Sequence, residues 1–539
     1  MEFINLLRKP DFVYGATDAS SLRFEEDDNG VDCPVQYEYK IEKDSAKIIV
    51  YPSGSPVKYL KFRFSGDFSR VDKVYGDQFE RQSFKAYLEW RSVMGSRILP
   101  WFCYVVADNR MACYGVKTGC DCFAMFQVDT HGVTLFLNLC NGNDGTDLQE
   151  PLLACEVVQL FGKEGGDEYD LAKIFAKKMC DNPVLPKTPI FGVNNWYWAY
   201  GDISFESVLQ ESDYLQEMTA GCKNRPCMII DDGWQKCRIA GDGHYNGGEW
   251  EANDRFNDMR KMADEIRKRN QKAGLWFRPL LTQGNLPQGV AYADYAMGVV
   301  MDASHPYTLE TVYQDAKKIR DWGYEVIKHD FSTLDITGLA LTSDRHHYLL
   351  CKEGYRFFDK TKTTATIIKN LYKAIQEGAG DADVIGCNVI GHLSAGIHSV
   401  QRVGNDSSGR IFEYMKMHCM NAVMRLPLNG AFFNADPDCA AFTDMVPADI
   451  NLDFLEMCAL TGMTTLASVT PGILKEKEMQ RINEIYKMAD SGKYEYGIVN
   501  FTKTATPEIF ISKDKKTVRK FDWSKPYNGA RIVFPHTEV

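Results

Sequence analysis

The sequence predicts an α/β protein: a (β/α)8 TIM barrel preceded by an antiparallel β-sandwich and followed by a small C-terminal β-domain. Three observations predict it. From about residue 190, short apolar runs alternate with helical patterns, the texture of β/α units around a parallel sheet. The residues before 182 instead alternate polar and apolar positions, and three prolines in Asn182-Pro-Val-Leu-Pro-Lys-Thr-Pro189 separate the two textures. At 539 residues the chain exceeds one ordinary domain, and a barrel of about 250 residues leaves room for accessory domains. The expected divisions are 1–185, 186–490 and 491–539.

In the first segment, Val57-Lys-Tyr-Leu-Lys-Phe-Arg-Phe-Ser65 puts Leu60, Phe62 and Phe64 on one face and Lys61, Arg63 and Ser65 on the other, as a half-buried antiparallel strand requires. Val133-Thr-Leu-Phe-Leu-Asn-Leu139 repeats the pattern. Pro52-Ser-Gly-Ser-Pro56 and Asn141-Gly-Asn-Asp-Gly145 supply turns. A helix with Leu171, Ile174 and Phe175 on one side leads to the proline-rich boundary. Eight barrel strands are then expected at Ile190–Trp196, Pro226–Asp231, Gly274–Pro279, Tyr324–Asp330, Asp383–Asn388, Ser399–Gly404, Gly430–Asn434 and Thr464–Val469. Helices intervene, such as Leu309–Trp322, where Leu309, Val312, Tyr313, Ala316 and Ile319 recur at helical spacing. Alternation returns in Tyr494-Glu-Tyr-Gly-Ile-Val499 and Glu508-Ile-Phe-Ile-Ser512, the expected terminal β-domain.

Composition narrows the function classes. A net charge of -11 without any Lys/Arg-rich run argues against a nucleic-acid partner. No run of about 18 apolar residues exists to cross a membrane, and the N-terminus is too interrupted for a signal h-region. The sixteen cysteines are scattered; Cys120-Asp-Cys122 is the closest approach to a paired motif, and no zinc-site spacing occurs. A cytoplasmic protein with buried free thiols is expected, without metal or cofactor, in which the sequons Asn405-Asp-Ser407 and Asn500-Phe-Thr502 carry no glycan. Homo-oligomerisation stays open.

The stretch Tyr324-Glu-Val-Ile-Lys-His-Asp-Phe-Ser332 concentrates the chemistry. On a strand, Val326, Lys328 and Asp330 share one face and Ile327, His329 and Phe331 the other. Lys328 is therefore expected to keep Asp330 ionised at the C-terminal end of a barrel strand, where such barrels carry their functional groups. Acids recur at other strand ends: Asp231-Asp232-Gly-Trp234, Arg402-Val-Gly-Asn-Asp406 and Asn434-Ala-Asp-Pro-Asp438. Singly these read as a turn, a surface ion pair and a helix start. On one rim they read as a site. Two carboxyls without metal ligands are the minimum for glycoside hydrolysis: Asp330 suits the nucleophile and Asp406 the acid/base. Trp196, Trp198, Trp234 and Trp276 stand near the same strand ends and could face a sugar ring, although barrel and helix packing is expected to account for at least half of them. His346-His347 is the one histidine cluster, read as a solvated pair after the fourth strand.

At these residues the sequence resembles glycoside hydrolase clan D, the melibiase-like α-galactosidases of families 27, 31 and 36, and family 36 most of all. The resemblance rests on Asp231-Asp-Gly-Trp234, on Gly248-Glu-Trp-Glu-Ala-Asn-Asp-Arg-Phe256 leading to Gly274-Leu-Trp-Phe-Arg-Pro279, on Lys328 and Asp330, on Arg402 and Asp406, and on Asp436-Pro-Asp438. It implies a retaining exo-α-galactosidase acting on an oligosaccharide or glycoconjugate, with Asp330 as nucleophile, Asp406 as acid/base, and Asp231, Asp232, Lys328 and Arg402 holding the terminal sugar. Trp196, Trp276 and Asn388 complete the expected substrate contacts. Three departures stand out: His329 where the family usually has Trp, Cys387-Asn-Val-Ile-Gly391 where it has a Cys-Ser/Gly-rich loop near the sugar 2-position, and Arg278 in place of a Glu-containing pattern. An α-N-acetylgalactosaminidase or other clan D glycosidase, a raffinose-synthase-like galactosyl transferase and a non-catalytic sugar-binding relative are the alternatives the residues leave open.

Overall fold

A computed structural model describes residues 1–17, 33–81, 98–237, 249–295, 298–337, 355–504 and 507–523. Two antiparallel sheets open the chain. One runs in the order 12–16, 59–65, 132–138, 123–129, 99–100, the other 37–41, 46–50, 152–161, 110–116, 102–107, 73–76. Leu60, Phe62 and Phe64 are fully buried on the face that period two assigns them. Lys61 of the opposite face is also mostly covered, its ammonium 5.7 Å from the Tyr14 ring on the neighbouring strand. The helix Glu168–Met179 follows, started by Asp167, whose side chain accepts from the Asp170 N–H. Its buried stripe is Tyr169, Ala172, Phe175, Ala176 and Met179; Ile174, expected inside, is 57% exposed because it stands off that stripe.

Eight parallel strands form the barrel: Phe191–Asn194, Cys227–Ile230, Lys272–Phe277, Val326–His329, Asp383–Gly386, Val400–Arg402, a broken seventh, and Thr465–Val469. The seventh consists of Asn434–Asp436, parallel to the sixth, and Cys439–Phe442, parallel to the eighth. Only Pro437 and Asp438 separate these pieces, so the two edges of the sheet are one strand and the sheet closes on itself. Proline offers no ladder N–H, and Asp438 adopts φ 73°, which swings the chain from one neighbour to the other. The seventh strand was expected at Gly430–Asn434. That apolar run is instead a turn: Gly430 takes φ 71°, its N–H is accepted by the Phe433 carbonyl at 2.8 Å, Asn429 Oδ1 accepts the Ala435 N–H at 2.9 Å, and Phe432 and Phe433 are buried outside the barrel ladder. Period alone cannot separate a buried turn from a buried strand over so few residues.

The helix expected at 309–322 spans Pro306–Asp321 and buries Thr308, Val312, Ala316 and Ile319. A three-stranded sheet (281–282, 291–295, 298–301) is an unanticipated excursion after the third barrel strand. A three-stranded sheet, Tyr496–Ile498, Ile509–Ser512 and Val518–Lys520, forms the C-terminal β-structure. His346, His347 and Gly248 lie outside the described residues. No helix among the described residues is long and apolar enough to cross a membrane.

Sandwich and barrel are joined by polar anchors as well as apolar packing. Arg425 Nε donates to Asp77 Oδ1 at 2.9 Å, and its two Nη atoms donate to the carbonyls of Glu80, Arg81 and Val403. Trp101 stacks on His392 at 4.9 Å, and His392 Nε2 bonds the Val116 carbonyl. The sandwich segment Asp77–Arg81 is thereby fixed against the end of the sixth barrel strand.

Candidate active site

Every barrel strand that carries a sequence-predicted residue delivers it at its C-terminal end, the rim where β/α barrels place their chemistry. Asp231 follows the second strand, Asp330 the fourth, Asn388 the fifth, and Arg402 closes the sixth. Asp231 is the best-tied group of the set. Its Oδ2 accepts from Lys328 Nζ at 2.6 Å and from Asn194 Nδ2 at 2.7 Å, and its Oδ1 accepts the N–H of Asp232 at 2.9 Å. Burial works against the Lys328 charge, but Asp231, Cys387 and Asp330 together outweigh it and hold the ammonium's pKa above the ordinary lysine value. Asp232 Oδ1 accepts from Gln235 Nε2 at 2.5 Å. Both acids are buried.

Lys328 was expected to pair with Asp330. It points to the same face but reaches across to Asp231. Asp330 instead accepts from neutral donors, Trp276 Nε1 at 3.3 Å and the Phe331 N–H at 2.8 Å. The Phe331 N–H is shared with Asn388 Oδ1 at 3.2 Å. Phe331 sits at φ 60°, a conformation costly for an aromatic residue. Arg278 braces it: the guanidinium lies 4.2 Å from the Phe331 ring and forms a buried pair with Asp335. The departure at Arg278 therefore supports the Asp330 turn from behind.

Arg402 is buried and organises the sixth and seventh strand ends. It donates to Asp438 Oδ2 at 2.7 Å, to Asp406 Oδ1 at 3.1 Å and to the Asn405 carbonyl at 3.0 Å. Its Nη1 faces the Cys387 thiol at 3.1 Å. Asp438 also accepts from the Tyr197 hydroxyl and, at 2.8 Å, from the Ser407 N–H. Burial would raise the Asp438 carboxyl, but Arg402, His418 and Lys328 together hold it below the usual range; burial pushes neighbouring Asp436 up. Cys387 is raised well above an ordinary thiol by burial and then by Asp330, with Arg402, Arg81 and Lys328 acting the other way, so these strand ends converge around it.

Asp406 keeps 54% of its side chain open to solvent. It carries two guanidiniums, Arg402 and, at 3.0 Å, Arg81 of the sandwich. Although its outer side is open, the enclosing rim takes water from the carboxyl and acts to raise it; Arg81, Arg402 and Lys328 together outweigh that and hold it well below the usual carboxylate range. The next sandwich residue back, Glu80, accepts from Asn388 Nδ2 at 2.7 Å. Nothing in the sequence around Glu80 and Arg81 announces this, because the contacts join residues more than three hundred positions apart.

Of the four tryptophans, Trp276 reaches Asp330, and Trp196 is half-buried 5.6 Å from the Tyr200 ring. Trp234 donates to the Trp276 carbonyl and Trp198 to Glu211, so both serve packing. His329 faces outward, away from Lys328. Its Nδ1 bonds Ser332 Oγ at 2.9 Å and its Nε2 meets His398 Nε2 at 3.1 Å, and burial lowers its pKa to about 3. The His329 departure thus lies behind the rim rather than in it. The loop after Asp406 is pressed on the first strand end: a Cβ on Gly409 would lie 1.9 Å from the Tyr197 carbonyl oxygen.

No family model and no curated protein matches the sequence. Solved structures do match. An α-galactosidase from Thermus thermophilus, in complex with p-nitrophenyl α-D-galactopyranoside, aligns at a TM-score of 0.60 and 17% identity over 90% of this chain and 95% of its own. The GH36 α-galactosidase AgaA from Geobacillus stearothermophilus, in complex with raffinose, aligns at 0.60 and 12% identity over 89% and 71%. An α-galactosidase from Lactobacillus brevis aligns at 0.58 and 12% identity over 90% and 69%. With a sandwich, a closed eight-stranded barrel and a terminal β-sheet in the same order along the chain, the protein has GH36 α-galactosidases as its structural neighbours and shares their fold.

Proposed function

We propose that the protein is a retaining exo-α-galactosidase that removes terminal α-galactosyl groups from oligosaccharides or glycoconjugates. The observation that carries this is the pairing of two differently treated carboxylates on one barrel rim: Asp330 bonded, among the described residues, by neutral donors, and Asp406 at an open position beside cations. Fold neighbours crystallised with an aryl α-galactoside and with raffinose support the substrate class.

In this reading an Asp330 oxygen attacks the anomeric carbon as the bond to the leaving oxygen breaks, and protonated Asp406 gives its proton to that oxygen. The Asp406 carboxylate then takes a proton from water, the resulting hydroxide attacks the anomeric carbon, and the Asp330 ester is released as carboxylate. Trp276 Nε1 and the Phe331 N–H orient Asp330. Asp231 and Asp232 accept hydrogen bonds from sugar hydroxyls, with Lys328 Nζ holding Asp231 in place at 2.6 Å. Trp196 offers an apolar face, and Asn388, fixed between Phe331 and Glu80, faces the sugar from the fifth strand end.

A panel of aryl α-glycosides, galacto, gluco and N-acetylgalactosamino, with and without a sugar acceptor, tests the reading. The galactoside should be cleaved fastest and water should be the main acceptor. Preference for the N-acetylgalactosaminide, or product dominated by transfer, would replace it with the corresponding alternative.

A further inference from the structure

Among the described residues, the cation that touches Asp406 from outside the barrel is Arg81, and Arg425 ties its segment down. Arg425 grips the carbonyls of Glu80 and Arg81 and the carboxylate of Asp77, so the end of the sandwich segment cannot drift from the rim. Arg81 is buried, and its Nη1 is divided between Asp406 Oδ1 at 3.0 Å and the Gly404 carbonyl at 3.2 Å, two residues before Asp406 on the same loop. The guanidinium therefore reads both the charge of the carboxylate and the position of its backbone.

We infer that Arg81 is a positioning residue of the reaction, through which the N-terminal sandwich governs when Asp406 can hold a proton. The inference rests on the proposed role of Asp406. Among the described residues, the charged and titratable groups around that carboxyl are Arg81 from the sandwich, Arg402 at the end of the strand before it, Lys328 from the fourth strand, Asp438 from the seventh, Tyr197 after the first and His418 from the helix behind. Asp438 is already neutralised by Arg402, Tyr197 and Ser407, and His418 is kept neutral by burial, which lowers it to about 4. Among the described residues Arg81 and Arg402 are thus the cations in direct contact, and Arg402 divides its donors among Asp438, Asp406 and the loop carbonyls. Removing Arg81 takes away the nearer charge while leaving the Arg402 framework of the rim intact. The Arg81 contact favours the ionised acid, a state suited to activating water, over the protonated one that a poor leaving group needs.

The test compares kcat/KM against pH for an alkyl α-galactoside, which needs its leaving oxygen protonated, and 4-nitrophenyl α-galactoside, which does not. In Arg81→Gln the basic limb of the alkyl profile should move to higher pH by about one unit or more, while the nitrophenyl profile keeps its shape. Arg81→Lys, which keeps a cation, should move it less. A limb unmoved in Arg81→Gln, or an equal loss on both substrates at every pH, overturns the inference and leaves Arg81 a structural tie. Should Arg81→Gln fail to fold, the wild-type alkyl profile decides: a limb below about pH 5 supports the inference, and one near neutrality overturns it. Wild-type protein that cleaves neither galactoside overturns instead the functional reading beneath.

Discussion

The ammonium of Lys328 lies 2.6 Å from the carboxylate of Asp231, although Asp330 stands two residues ahead of it on the same face of its own strand. The third barrel strand runs between the two partners' strands, so the bond spans the barrel interior. Both groups are buried, and removing one leaves the other's charge without compensation. Lys328→Met should cost about 3 to 5 kcal/mol of stability, and adding Asp231→Asn should return much of it. Chemical denaturation of the two single variants and the double variant checks this; additive losses would mean that the pair is not coupled.

The two acids should fail differently. Asp330→Ala should abolish turnover on every substrate. Asp406→Ala should keep cleavage of substrates with good leaving groups and be accelerated by azide, which replaces water at the glycosyl-enzyme. Equal loss in both variants on an activated aryl galactoside, without azide rescue, would reverse or remove these roles.

Asp232 is buried beside Asp231, and a site built to bond a hydroxyl rejects an analogue that misplaces it. α-Galactosides should be preferred over α-glucosides by about two orders of magnitude or more in kcat/KM. Asp232→Asn should narrow that ratio and lower overall activity. If Asp232 serves only the turn that its bond to Gln235 closes, the same change will shift the melting temperature and leave the ratio alone.

Glu211 is fully buried with Trp198 Nε1 at 3.0 Å, and burial lifts its carboxyl from 4.5 to about 8. In this case the folded state keeps a proton that the unfolded state releases, so stability falls as pH rises from about 4.5 to about 8. Glu211→Gln, which keeps the shape and cannot ionise, should raise Tm at pH 8 and give no gain near pH 4.5. A gain of the same size at both pH values would contradict the assignment.

Much of the fold was legible because its signals are local. Period two in Leu60, Phe62 and Phe64, the prolines from 183 to 189, and apolar runs bounded by helices place the sandwich and seven of the eight barrel strands. The seventh strand escaped because its pairing switches partners at Pro437-Asp438, and the apolar run before it is buried by a turn. The pattern of acids at strand ends places Asp231, Asp232, Asp330, Arg402 and Asp406, which the structure brings to the C-terminal ends of the barrel strands. Side-chain partners were not legible. Lys328 chose Asp231 over Asp330, Arg402 took Asp438 besides Asp406, and Glu80 and Arg81 arrived from another layer of the molecule, because each choice depends on distances between strands that no local pattern encodes.

The central claim is that Asp330 and Asp406 perform a double displacement at an α-galactosyl centre. Proton NMR of the first sugar released from 4-nitrophenyl α-galactoside, read before mutarotation, tests it most directly. Two inversions should deliver α-galactose first, relaxing later to the mixture. β-Galactose as the first product would mean a single displacement by water and would contradict the account.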